Sequence, residues 1–206
     1  MDNPDLSSSE AFSAFLEELR LQIQTSVKSV CHAKVDAIVM GMSAETFWGG
    51  IEGAVEFEKY ITEISGGLGV TTGAAACAAV MKTYGVKRIG IITPYQPVGD
   101  QQVTDYFTQI GCDIAVLEGL KCPSATSIAD VTSEEIKDAF RKVDGPDVEL
   151  LIQVGTNLCA GIACAELEEE LGKPVIAINT ATVWHAYRTN GIKDQIKGWG
   201  SLLEKH

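Results

Sequence analysis

The alternation of two periods is what most restricts the folds open to this chain. Helical spacing in SEAFSAFLEELRLQIQTSVKSV gives way to the apolar run VDAIVMGM, TTGAAACAAVMKTYG to VKRIGIITPY, and QQVTDYFTQIG to CDIAVLEGL. The second half repeats the order: TSEEIKDAFRKVD leads to VELLIQVG, CAGIACAELEEELG leads to KPVIAIN, and TATVWHAYRTNG follows. Ser133, two residues before Glu135, is expected to cap the first of these later helices. Helices alternating with short Val/Ile-rich strands predict βαβ units, and hence an α/β protein with a parallel sheet covered on both faces.

Composition narrows the function classes. With 206 residues and 46% hydrophobic content, the chain can bury a substantial core as one domain or two small ones. No apolar run approaches the ~20 residues of a membrane helix, and the opening MDNPDLSSSE lacks the basic flank of a secretion signal, so a cytoplasmic location is expected. A formal charge of −12, from 28 acidic and 16 basic residues, disfavours nucleic acid and anionic membrane as partners but leaves room for a small anion in a local pocket. The six cysteines (Cys31, Cys77, Cys112, Cys122, Cys159, Cys164) show neither CxxC pairing nor histidine spacing, so no metal site or disulfide framework is expected and most should be buried thiols. No GxGxxG follows a strand, and no cofactor is expected.

Ligands of open parallel sheets bind beyond the carboxyl ends of the strands. That rule selects GMSAETFWGG, TPYQPVGDQQ and GTNLCAG, each rich in hydroxyl, amide or glycine and each preceding a helix whose free N–H groups favour an anion. GLGVTT, before the alanine-rich helix, reads as a fourth such turn. The set suits a carboxylate or phosphate held without lysine or arginine.

Two longer stretches carry a resemblance. VTTGAAACAAVMKTYGVKRIGIITPY, with Thr71-Thr72 and Thr93-Pro94-Tyr95, and LIQVGTNL…ELGKPVIAINTATVWHAYRTNG resemble the maleate isomerase and arylmalonate decarboxylase branch of the aspartate/glutamate racemase superfamily, over residues 35 to 191. The resemblance implies two pseudo-symmetric flavodoxin-like halves, residues 1–92 with 180–206 and residues 93–179, with the active site in the cleft between them. It implies chemistry at the carbon next to a carboxylate of a small acid, and an oligomer of identical chains. Carried onto this sequence, the carboxylate cradle is Ser43, the Ala44 backbone, the Tyr95 phenol, the Gly155-Thr156 turn and Asn157, acting as an oxyanion hole for a developing enediolate.

The departures from the pattern matter as much. Racemases and isomerases of the superfamily use two facing cysteines, and the corresponding positions here are Met42 and Gly155. Cys159, four residues later, is expected one turn into the next helix, a weak stand-in for a lost thiol. Glu45, the one carboxylate of the first loop, is a candidate acid/base group, against the blander expectation of a solvated glutamate at a helix start. The family usually carries a further strand and helix, and often another strand, ahead of the segment where this chain begins, so either the first half is truncated or the true start lies upstream; if the leading strand is missing, the open sheet edge is expected to be covered by another subunit or by the N-terminal segment. Without the resemblance, Ser43 and Thr46 read as caps of the following helix, Tyr95 as packing aromatic or ligand contact, His185 as a structural histidine and Cys77 as core. Three functions remain: a lyase decarboxylating a malonate-like acid, a maleate-type isomerase recruiting Cys159 or another group, and a non-catalytic dicarboxylate binder.

Overall fold

A computed structural model describes residues 9–206. The opening MDNPDLSS, read above for its lack of a secretion signal, lies outside the described residues. The chain runs α1 (Ser9–Cys31), β1 (Ala37–Val39), α2 (Ala44–Phe47), α3 (Gly50–Ile64), β2 (Gly69–Thr71) and α4 (Gly73–Tyr84). It continues as β3 (Arg88–Thr93), α5 (Pro97–Gln109), β4 (Asp113–Gly119), α6 (Ser133–Val143) and β5 (Leu150–Gln153), then α7 (Gly161–Leu171), β6 (Val175–Ala177), α8 (Ile178–Thr189) and α9 (Ser201–Lys205).

The strands form two parallel sheets, as the alternating periods require. One is the pair β1·β2, with Ile38 opposite Val70; the other has the order β4-β3-β5-β6, with Ile152 opposite both Ile91 and Ile176. Every residue of β5 is buried, which explains why VELLIQVG reads as an apolar run rather than as an alternation. β2 lies inside the stretch read as a turn, because three residues between glycines carry too little pattern to separate strand from loop. All of β3 belongs to the four-stranded sheet, so the expected boundary between residues 92 and 93 falls inside a strand.

Helices cover both sheets. Ile23 and Val27 of α1 and Phe57 and Ile61 of α3 pack with Ile38 on the small sheet. Ile136 and Phe140 of α6 and Leu167 of α7 pack with Leu151 on one face of the larger sheet. Between the sheets, α4 packs along α8, and one core runs from Phe47 through Ala76 and Val80 to Ile152, Ile178 and Trp184. The α6 cap is Thr132, one residue earlier than expected: its Oγ1 accepts from Glu135 N while the Glu135 carboxylate accepts from Thr132 N, a full capping box. Among the described residues no helix is long and apolar enough to cross a membrane.

Candidate active site

The carboxyl ends of both sheets face one another, and three loops meet there. Met40 is tied to β2 through its N–H to Thr71 O (2.9 Å), and the chain then turns through Gly41 and Met42 to the buried Ser43. Ser43 occupies the cap position of α2, yet its side chain makes no capping bond. Its Oγ lies 2.7 Å from the Tyr95 Oη and accepts the Thr156 N–H at 3.0 Å. Thr46 likewise does not cap its own helix: its Oγ1 donates to Ser43 O (2.8 Å) and accepts from Ala74 N (3.3 Å), so it serves α4, whose own cap is Thr72. One threonine thereby fixes the Ser43 carbonyl to the start of another helix.

Tyr95 comes from the β3–α5 loop. Thr93 Oγ1 accepts from Tyr95 N (3.1 Å) and donates to the Asp100 carboxylate, while Pro94 O and Tyr95 O accept from Cys122 N and Lys121 N. The ring packs over Gly99, where an added Cβ would lie 2.9 Å from the Tyr95 Cβ. Burial raises the phenol above its ordinary value, only partly offset by the Ser43 bond, so the group stays protonated and able to donate.

The third loop follows β5. Gly155 has φ of +136°, and its carbonyl accepts from Gln153 Nε2 (2.7 Å) and Leu158 N (3.1 Å). Asn179, second residue of α8, donates from Nδ2 to Thr156 O (2.9 Å). Gln153 and Asn179 therefore aim the Thr156 N–H at Ser43, and the sequence reading singled out neither. A signal existed: Gln153 ends an otherwise apolar buried strand, and a buried amide demands partners.

The remaining candidates are distributed less simply. Ala44, half-buried, begins α2 next to Ser43. Asn157 is exposed, and its Nδ2 donates to Ala125 O (2.6 Å), which turns the amide toward the 120–132 loop and away from the Ser43 hydroxyl. Met42 packs on the α1–α3 core. Cys159 is exposed in the loop two residues before α7, a correction to its expected place within that helix, because the chain needs residues 156–160 to turn out of the cleft.

Glu45 is not the solvated glutamate expected at a helix start. It is 1% exposed, its Oε1 accepts from Arg20 Nε of α1 (2.5 Å), and its Oε2 is buried with no partner among the described residues. Burial raises its pKa, with the Arg20 hydrogen bond and charge opposing. Cys77 is core, and burial raises its thiol pKa as well. His185 is half-buried beside Trp184, with its pKa lowered by burial. Among the described residues no group of three or more His, Cys, Asp or Glu is placed to hold a metal ion. The donors that do converge, the Ser43 and Tyr95 hydroxyls and the Thr156 N–H, are uncharged.

Comparison with known proteins places the chain among related sequences and folds. Maleate isomerases of Geobacillus stearothermophilus and Alcaligenes faecalis are 23% and 22% identical over 135 and 136 residues, which is 65% of this chain and 54% and 53% of theirs. The chain thus spans about half the length of the curated relatives it matches. Nocardia farcinica maleate cis-trans isomerase bound to TRIS superposes with a TM-score of 0.89 at 20% identity, over 98% of this chain and 82% of that one. A double mutant of arylmalonate decarboxylase in a liganded form superposes with a TM-score of 0.87 at 19% identity, over 97% and 84%. Those likenesses show the two-halved flavodoxin-like fold. The arylmalonate decarboxylase profile matches residues 8–203, nearly the whole length over which the two sheets and their facing loops are built, and the chain belongs to that family.

Proposed function

We propose that the chain is a cofactor-independent enzyme that works at the carbon next to a carboxylate of a small acid, and that the reaction is a decarboxylation of a malonate-type substrate. The observation that carries this reading is the meeting of Ser43, Tyr95 and the Thr156 N–H at one point from three loops of two sheets. In the structure these groups bond to one another. A carboxylate oxygen entering between them exchanges those bonds for three donors to an anion, each stronger than a neutral pair.

The same donors favour the reaction. Loss of one carboxyl group as carbon dioxide leaves an electron pair that spreads into the remaining carboxylate as an enediolate. Negative charge then grows on the cradled oxygens, where prearranged dipoles lower the barrier. Protonation of the α-carbon completes the step. Glu45, two residues beyond Ser43, has a raised pKa and an oxygen with no partner among the described residues, so it can carry a proton nearer neutrality than an ordinary carboxyl, with water as the other source.

A maleate-type isomerisation is the second reading, favoured by the maleate isomerases among the relatives. It calls for a nucleophile adding to the double bond. Gly155 has no side chain and Met42 no ionisable group, leaving Cys159 as the nearest thiol in sequence.

Calorimetric titration of wild type and Tyr95→Phe with maleate and substituted malonates tests the cradle. Losing one hydrogen bond to a charged ligand costs ~1.5–3 kcal/mol, so the affinity should fall roughly 10- to 100-fold. An unchanged affinity would reduce Tyr95 to packing. Turnover of each acid before and after thiol alkylation then separates the two reactions: decarboxylation should survive alkylation, and isomerisation through Cys159 should not.

A further inference from the structure

Behind the turn that presents Thr156 lies a cavity of about 500 Å³, bounded by the start of α7, the exposed side of α8 and the tail that enters α9. Its size falls within the ~300–1,000 Å³ range of small-molecule sites. Cys159, Ile162, Asn179, Val183, Trp199 and Leu203 are among the residues that line it.

The outer wall is built around one indole. Trp199 lies between Gly198 and Gly200, with φ of +85° and +86°, and its ring rests on Gly161, where a Cβ would come within 2.7 Å of Cζ3. The tail that carries it is pinned on both sides: Gly198 N donates to Glu204 Oε1 (2.7 Å) and Ser201 N to Glu168 Oε1 (2.8 Å). The indole is therefore a fixed wall and still 44% exposed.

Charge selects the occupant. Among the described residues no ionised side chain lines this cavity, whereas the neighbouring groove is lined by Glu166, Glu168, Glu169 and Glu204 together with Lys205. Desolvating an ion here would go uncompensated, so a neutral molecule is favoured. Asn179 and Thr180 are the polar handles, and Asn179 Nδ2 is committed to Thr156 O, which leaves its Oδ1 to accept.

We propose that this cavity is a binding site for a small uncharged molecule made of a flat aromatic ring and an amide N–H or hydroxyl, the ring against Trp199 and the donor on Asn179. The site is distinct from the carboxylate cradle and does not depend on that reading. It shares the 155–160 turn with the cradle, since Asn179 holds Thr156 O and Cys159 lines the cavity.

Benzamide is a suitable probe, titrated into the whole protein with two readouts: tryptophan fluorescence, and the rate of Cys159 alkylation by N-ethylmaleimide followed by mass spectrometry. At ~10 times its dissociation constant the unoccupied fraction, and with it the alkylation rate, should fall about tenfold. Trp199→Phe should abolish the fluorescence change and keep the protection. Val183→Arg, on an exposed position of α8, should fold normally and abolish both. Absence of Cys159 protection at the solubility limit of benzamide, or equal protection in Val183→Arg, would overturn the assignment.

Discussion

Gly155→Cys would restore a thiol where the superfamily's two-cysteine chemistry has one, and the local backbone opposes it. Gly155 has φ of +136°, and a Cβ built there lies 2.3 Å from Pro94 Cδ and 2.5 Å from Pro94 Cγ. A flexible side chain could swing away; a pyrrolidine ring closed on its own backbone cannot. A side chain in that sparsely populated region costs ~1–3 kcal/mol, and forcing extra volume into a packed site a further ~1–3 kcal/mol. The sum, roughly 2–6 kcal/mol, is a large part of a total stability of ~5–15 kcal/mol. For a chain of this length each kcal/mol moves the melting temperature by ~2–4 °C, so the variant should melt roughly 4–24 °C lower. Thermal unfolding followed by circular dichroism measures it, with Gly155→Ala as control because alanine brings the same Cβ without the thiol. Both variants should fall together. A Gly155→Cys protein melting within about 1 °C of wild type would show that the turn yields to a side chain, and that a cysteine could be seated opposite Ser43 after all.

Glu45→Gln should remove a pH trend. The folded protein raises the Glu45 pKa, so stabilisation by the protonated form is present below the unfolded value of about 4.3 and is lost as pH rises through the raised folded value. Urea midpoints should therefore move in favour of the Gln variant between mildly acid and neutral pH; movement toward wild type would mean that the Arg20 pair outweighs burial. Thr132→Ala should cost ~0.5–2 kcal/mol in the same assay, and Ser133→Ala much less; the reverse order would put the α6 cap back at Ser133. Among the described residues β1 pairs with β2 alone, and the exposed Val39 lies on it with the exposed Val30 of α1 nearby. A second copy covering that edge is expected, so light scattering should give at least a dimer, and Val39→Lys should weaken it. A wild-type monomer at high concentration would contradict the expectation.

The alternating periods by themselves determined an α/β protein with parallel sheets, because buried strands and amphipathic helices are written locally, residue by residue. The strand ends carrying Ser43, Tyr95 and Thr156 were legible for the same reason: hydroxyls and glycines clustered after apolar runs mark loops at a sheet's carboxyl edge. What each side chain does there was decided only by the tertiary structure. Ser43 could have capped α2, but Tyr95 and the Thr156 N–H reach it from 52 and 113 residues away. Asn157 stands next to Thr156 yet bonds outward to Ala125, and Glu45 is buried because Arg20 of α1 folds over it. Gln153 and Asn179 matter through carbonyls they reach only once the turn after β5 is formed. A hydrogen bond depends on two positions in space, and a sequence orders only one of them at a time.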